Sequence, residues 1–193
     1  MMRKIERENT GLLQAGQDLV VAGYAGLAGT VKLAEAAKEE LSRWFSDEYM
    51  EEIAGCSRYL LREEKGFWSD CGAAEWEPAG EGGILTAIWN LTGAYETGVE
   101  FYLRQIPIRQ ETVEVCERLE LNPYRLYSRG CVLLTADNGG QLVRILAENH
   151  IPARVIGRVN KGIAREMIVQ EGRGFLERPQ PDEITKVIPG FFE

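Results

Sequence analysis

A chain of 193 residues with 45 % hydrophobic and 27 % charged residues can form one domain with a substantial core, burying about 70 % of the surface its unfolded chain exposes. Its 9 % aromatic content excludes a disordered chain. The formal charge of −8 and pI near 4.9 exclude nucleic acid or an anionic membrane as the main partner, since both demand a basic face.

Met1 to Asn9 is charged and no uninterrupted apolar run follows, so residues 1–14 read as an N-terminal extension with no secretion signal. Cytoplasm is the expected compartment. Asp18 to Ala22 reads as a short apolar strand, and Thr30 to Phe45 as an amphipathic helix with Leu33, Ala34, Ala37, Leu41 and Trp44 on one side. Ser46, followed by Asp47 and Glu48, is a good N-cap for a second helix. Glu63 to Pro78 is the least regular stretch, with one strand around Ala73 to Glu77. Gly80-Glu81-Gly82-Gly83 then turns into a helix through Ile84, Leu85, Ile88 and Leu91, ending near Gly98.

Val99, Phe101 and Leu103 alternate with Glu100 and Tyr102, the pattern of a half-buried strand stopped by Pro107. Glu111 to Leu119 has helical spacing. The continuous apolar run Cys131 to Thr135 reads as a central strand, and Asn138-Gly139-Gly140 turns it into a helix over Gln141 to Asn149. Ile151 to Val159 and Arg165 to Val169 are two further strands joined around Asn160-Lys161-Gly162, and Pro179 and Pro181 introduce a short closing helix at Asp182 to Val187. The order predicts an α+β sandwich with helices on a mixed or antiparallel sheet, as one domain over residues 15–193.

Two glycine clusters stand at helix starts. Gly23-Tyr24-Ala25-Gly26-Leu27-Ala28-Gly29-Thr30 follows a strand, but its G-x-x-G-x-x-G spacing and the absence of an acidic residue closing a second parallel strand reject a dinucleotide turn. Gly80 to Gly83 carries two readings. Free N–H groups and the positive end of the helix dipole suit a phosphate or carboxylate, with Arg104, Arg109 and Arg129 as cations that could meet it. Equally, glycines before a helix serve positive φ or close packing.

The catalytic inventory is thin. The sequence has no G-x-S-x-G elbow and no P-loop, and His150 is its only histidine. Cys56, Cys71, Cys116 and Cys131 form no C-x-x-C pair, so they read as structural, with neither a zinc site nor a disulfide framework. Glu75, Glu77 and Glu81 read first as a solvated acidic face, with a metal role for Glu77 and Glu81 as the lesser alternative.

Several short motifs occur in a telling order: Gln17-Asp18-Leu19-Val20-Val21 leading to Gly26-Leu27-Ala28-Gly29-Thr30, then Glu81-Gly82-Gly83-Ile84-Leu85, Ile106-Pro107-Ile108, Leu121-Asn122-Pro123 and Ser128-Arg129-Gly130 before Leu133-Leu134-Thr135-Ala136-Asp137. Ile151-Pro152-Ala153 and Ile156-Gly157-Arg158-Val159 complete the set. From Ala15 to Ile188 the chain resembles the C-terminal domain of the aminoimidazole ribonucleotide (AIR) synthetase superfamily, the PurM C-terminal-like fold shared by thiamine monophosphate kinase, selenophosphate synthetase and the hydrogenase maturation factor HypE. The resemblance is to its AIR synthase-related, HypE-like branch.

The resemblance implies a three-layer α+β sandwich, partly ferredoxin-like, that closes over a separate N-terminal domain carrying the Mg-binding aspartates and most of the ATP site. It implies ligand- or phosphate-binding roles for Gly26, Gly29, Thr30, Glu81, Gly82 and Gly83. Where that branch shows His-Asp-x-Thr-x-Gly-Gly, this sequence has Glu77, Pro78, Gly80, Gly82 and Gly83 at the matching positions, and its end carries no cysteine. The expectation is a domain with no catalytic residue and no metal ligand of its own, ATP and Mg entering only with a partner domain.

Two functions follow from this. One is a stand-alone, non-catalytic binder of a phosphate-bearing metabolite, nucleotide or protein. The other is the C-terminal half of a split ATP-dependent enzyme completed by an ATP-binding partner. Exposed apolar surface around Trp68 to Trp76 is expected at the docking face, leaving self-association into a homo-oligomer open.

Overall fold

Leu19 and Val21 of strand β1 (Asp18–Ala22) point to one side of a sheet while Val20 and Ala22 point to the other, and all four are fully buried, so the sheet is covered on both faces here. The computed structural model describes residues 12–62 and 66–193; Met1 to Asn9, most of the extension over residues 1–14, and Glu63 at the start of the irregular stretch lie outside them.

In chain order the helices and strands are α1 (Leu27–Ala36), α2 (Lys38–Leu41), α3 (Asp47–Gly55), α4 (Phe67–Asp70), β2 (Glu75–Pro78), α5 (Gly83–Ala94), β3 (Gly98–Tyr102), α6 (Gln110–Arg118), β4 (Val132–Ala136), α7 (Gly139–Glu148), β5 (Ala153–Asn160), β6 (Arg165–Val169) and β7 (Gly172–Phe175). The strands form one sheet in the order β2-β4-β1-β5-β3-β6-β7. Every pairing is antiparallel except β3 with β6, which gives the mixed sheet expected. Pairing of β1 with β5 skips Ile156, because Leu19 opposes Gly157 and Val20 opposes Val155.

On one face, Ile84, Ile88 and Leu91 of α5 pack with Leu19, Val21, Val99, Phe101 and Leu133. On the other, Leu142 and Leu146 of α7, with Trp68, cover Val20, Ala22, Val132 and Leu134. A third cluster joins α1, α2, α3 and α6 through Leu33, Leu41, Ile53, Val115 and Leu126. Burial of each large aliphatic side chain contributes roughly 2 kcal/mol, so packing, more than helix propensity, holds these elements.

The structure corrects several expectations. The helix expected over Thr30 to Phe45 starts earlier, at Leu27, and breaks at Ala37 (φ −107°), where the Ala37 N–H bonds to Leu33 O. Leu33, Ala34, Ala37 and Leu41 stay buried on one side across the break, but the helix ends at Leu41, so Trp44, expected on that side, lies beyond it and is 61 % exposed with Arg118 stacked 4.4 Å above its ring. Leu103 belongs to a 3-10 turn (Leu103–Gln105) beyond β3, and the closing helix is a 3-10 turn over Glu183–Lys186. Nor does apolar exposure gather around Trp68, which is 2 % exposed; Tyr102, Ile163 and Phe175 are the exposed apolar residues near the β7 end of the sheet.

Candidate ligand cleft

β2 runs antiparallel to β4 and delivers the chain at Pro78 to the turn before α5. The Gly80 carbonyl accepts the N–H groups of Gly83 and Ser128, each at 3.1 Å, which ties the turn to the loop before β4. Gly82 is the residue capping α5, in the left-handed region at φ 75°, and no side chain caps the helix from within its own turn. The capping group comes from the far end of the chain: Asp182 Oδ2 accepts the Gly82 N–H at 2.7 Å.

Asp182 is 2 % exposed, and its Oδ1 accepts the N–H groups of Tyr127 at 3.0 Å and Ile184 at 2.9 Å. Burial raises its carboxyl above the usual value despite the three N–H donors, with nearby Glu81 adding to the rise. The next residue repeats the device in a milder form: Glu183 accepts the Asn122 N–H at 3.1 Å and pairs with Lys186 at 2.6 Å.

Beside this cap lies a cleft of about 360 Å³ lined by Pro78, Gly80, Glu81, Gly82, Thr86, Ala87, Asn90, Pro179 and Gln180. Gly82, Thr86 and Asn90 follow at i, i+4 spacing, so they form one polar stripe along the open side of an otherwise buried helix. The stripe offers a hydroxyl and an amide, with the Gln180 amide opposite. These groups donate and accept hydrogen bonds without carrying charge.

Gly80, Glu81 and Gly82 of the expected site thus reach the cleft, whereas Gly83 is committed to packing. A Cβ on Gly83 would lie 2.4 Å from Tyr124 O, and its φ is 68°. Gly26, Gly29 and Thr30 are buried on the other side of the loop before β4. A Cβ on Gly26 would lie 2.8 Å from Pro123 O, and one on Gly29 would lie 2.5 Å from Leu126 Cγ. Thr30 Oγ1 donates to Gly26 O at 2.9 Å and meets Thr112 Oγ1 at 3.0 Å. Ser128 links the two glycine clusters, accepting the Gly26 N–H on Oγ at 2.8 Å while its own N–H reaches Gly80.

The three arginines considered for the anion stay away from the cleft lining. Arg104 bonds to Gln170, and Arg129 is exposed. Arg109 makes a two-pronged pair with buried Glu111, at 2.6 and 3.1 Å, and stacks over the rings of Tyr59 and Tyr24. Burial alone would raise the Glu111 carboxyl, but the Arg109 hydrogen bond wins and holds it below the usual carboxylate value. Cys56 Sγ lies 3.4 Å from Glu111 Oε1, and burial pushes that thiol up. Sequence reading missed this cluster, whose only local trace is an acidic residue in the first turn of α6 beside an arginine.

The sequence also left Asp182 as a helix start without a role, although Pro181-Asp182-Glu183 is a readable N-cap. All four cysteines are buried and free, and burial pushes Cys116 and Cys131 up to about 12. No group of three or more His, Cys, Asp or Glu side chains that could hold a metal occurs among the described residues. No helix among them is long and apolar enough to cross a membrane.

Residues 78–170 match the family model described as AIR synthase related protein, C-terminal domain. No curated protein matches the chain. Among solved structures, Escherichia coli HypE, a hydrogenase maturation protein, superposes with a TM-score of 0.68 at 19 % identity, over 91 % of this chain and 54 % of that one. A HypE in complex with ATP gives 0.65 at 16 % identity, over 89 % and 53 %. Thiamine-monophosphate kinase from Stenotrophomonas maltophilia gives 0.60 at 19 % identity, over 80 % and 50 %. The fold is therefore shared with these proteins, and the chain spans about half the length of each.

Proposed function

We propose that this chain, whose residues 78–170 match the model of the AIR synthase related protein C-terminal domain, binds a phosphate-bearing small molecule in the cleft at the start of α5 and supplies no catalytic residue itself. The observation that carries the reading is the stripe Gly82, Thr86 and Asn90 on the one open side of α5, facing Gln180 across about 360 Å³. Thr86 and Asn90 would grip hydroxyl or amide groups of the ligand. The anionic group would lie at the helix start, where the dipole favours it. The lining has no Lys, Arg, His, Ser or Cys, and its one titratable side chain, Glu81, is exposed, so nothing there is set up as a nucleophile with its base.

A second reading draws on the half-length coverage of an ATP-bound HypE. In it the domain, reaching from about residue 15 to the end, works against an ATP-binding domain that carries the metal, and the cleft is the wall offered to that domain's substrate. Four buried cysteines, none paired with another, suit the cytoplasm as the setting for either reading.

Native mass spectrometry and thermal-shift titration with nucleotides and sugar phosphates test the proposal. A ligand that raises the melting temperature of the wild type but not of Asn90→Leu supports the cleft. Binding that is indifferent to Asn90→Leu overturns it. The chain alone is expected to hydrolyse no ATP with Mg; a second protein that restores turnover would favour the second reading.

A further inference from the structure

The α5 cap differs from an ordinary helix N-terminus in where its anion comes from. Two N–H groups from distant stretches of chain, those of Gly82 and Tyr127, join the segment's own Ile184 N–H on the two oxygens of a single buried carboxylate. That carboxylate has no cation within ion-pairing distance among the described residues, so it is held by backbone dipoles alone. The segment bearing it is anchored at both ends by the buried side chains of Leu176 and Ile184, while residues 177–181 between them are exposed. Pro179 and Gln180 of that exposed stretch form a wall of the cleft.

We propose that Asp182 occupies in cis, on the N–H groups of Gly82 and Tyr127, the seat a ligand's anionic group would take, so that residues 177–183, held between the anchors Leu176 and Ile184, act as a strap closing the cleft at Gly80 to Gly82 against anions until it is displaced. The inference rests on the reading of the cleft as a phosphate-ligand site. A carboxylate delivered by a short, doubly anchored strap has an effective concentration on the order of millimolar or above, so a free phosphate competes poorly with it. A phosphate carried by a molecule that also bonds Thr86 and Asn90 brings the extra binding energy needed to lift the strap. The device therefore selects the whole ligand over inorganic phosphate.

The test compares the full-length wild type with Asp182→Ala and Asp182→Asn, titrated with inorganic phosphate against chloride at constant ionic strength, by calorimetry and thermal shift. Asp182→Ala is expected to bind phosphate saturably at least about tenfold more tightly than the wild type. Asp182→Asn, which keeps the shape and one acceptor oxygen but loses the charge and sets an NH2 against a backbone N–H, is expected to fall between them. If Asp182→Ala folds only when phosphate is present, that rescue counts as binding. If it stays unfolded at all phosphate concentrations, or if both variants bind phosphate no better than the wild type, the strap is overturned and Asp182 is a structural cap. A metabolite that binds the wild type and both Asp182 variants equally, yet is lost in Asn90→Leu, sinks the strap alone. Tight phosphate binding in the variants with no ligand sensitive to Asn90→Leu sinks the cleft reading and leaves the strap.

Discussion

Asp182 Oδ2 accepts the Gly82 N–H at 2.7 Å across 100 residues of chain, which makes a residue of the C-terminal segment the cap of α5. The consequence is a coupling between the C-terminal segment, the loop at Tyr127 and the cleft at Gly80. No local sequence pattern around the glycines contains it.

The charge on Asp182 opposes the fold even as its hydrogen bonds support it. Burial raises its carboxyl above 3.8, so between that value and the folded-state value the native protein binds more protons than the unfolded chain. Stability tied to this group is therefore full below pH 3.8 and falls as pH rises through the folded value. Urea unfolding of the wild type and Asp182→Asn should show the wild type losing ground as pH is raised from 3.5 to 7. A wild-type advantage that grows over that range would refute the assignment.

Glu111 predicts the opposite slope. Burial pushes its carboxyl up, but the Arg109 fork more than cancels this and leaves the value lowered from 4.5, so the unfolded chain binds more protons in the window below that value. The stabilisation is present above pH 4.5 and fades as pH falls through the folded value. Glu111→Gln should cost about 3 kcal/mol at pH 7, since Glu111 is buried and its removal strands a half-buried guanidinium. The gap to wild type should narrow towards pH 3; a gap constant with pH would mean that shape, and not charge, is what the pair contributes.

Gly80 and Gly83 separate packing from binding within one turn. Alanine at Gly83 meets Tyr124 O at 2.4 Å and adopts φ 68°, and neither backbone can yield, so a loss of about 3 kcal/mol is expected. Alanine at Gly80 meets nothing within 4 Å and should change stability by less than about 0.5 kcal/mol. Any loss of ligand affinity in Gly80→Ala can then be assigned to the cleft. Chemical denaturation of the two variants side by side checks the pair, and a Gly83→Ala protein as stable as wild type would contradict the close approach.

The strands were legible because their alternation survives translation into burial: Val99 and Phe101 are fully buried while Tyr102 is exposed, and β1 and β6 have the bounds read from sequence. The Ser46 cap was legible because its hydrogen bond to the Tyr49 N–H is local. Trp44 was misplaced because the helix stops at Leu41, where no glycine or proline in the sequence announces the end. At the candidate site the glycines were visible, but Asp182, Gln180 and Asn90 meet them only through the fold. Sequence reading alone could not tell which N–H groups were already taken.

The same missing punctuation explains why the helix after Gly83 was read through to Gly98, and it gives the last prediction. α5, α6 and α7 each end in a non-glycine residue with positive φ: Glu96 at 52°, Glu120 at 54° and His150 at 59°. Each stands just past its helix, the position where glycine is usual because a Cβ is strained there. All three are exposed, so their side chains make no packing that a glycine would forfeit. Glu120→Gly and His150→Gly should each stabilise the protein by about 0.5–1 kcal/mol, the strain relieved outweighing the added freedom of the unfolded chain. Thermal unfolding of the two single variants and their double should show increments that add, because the sites lie on different helices; a drop in melting temperature in either would show that the left-handed turn there is held by its side chain.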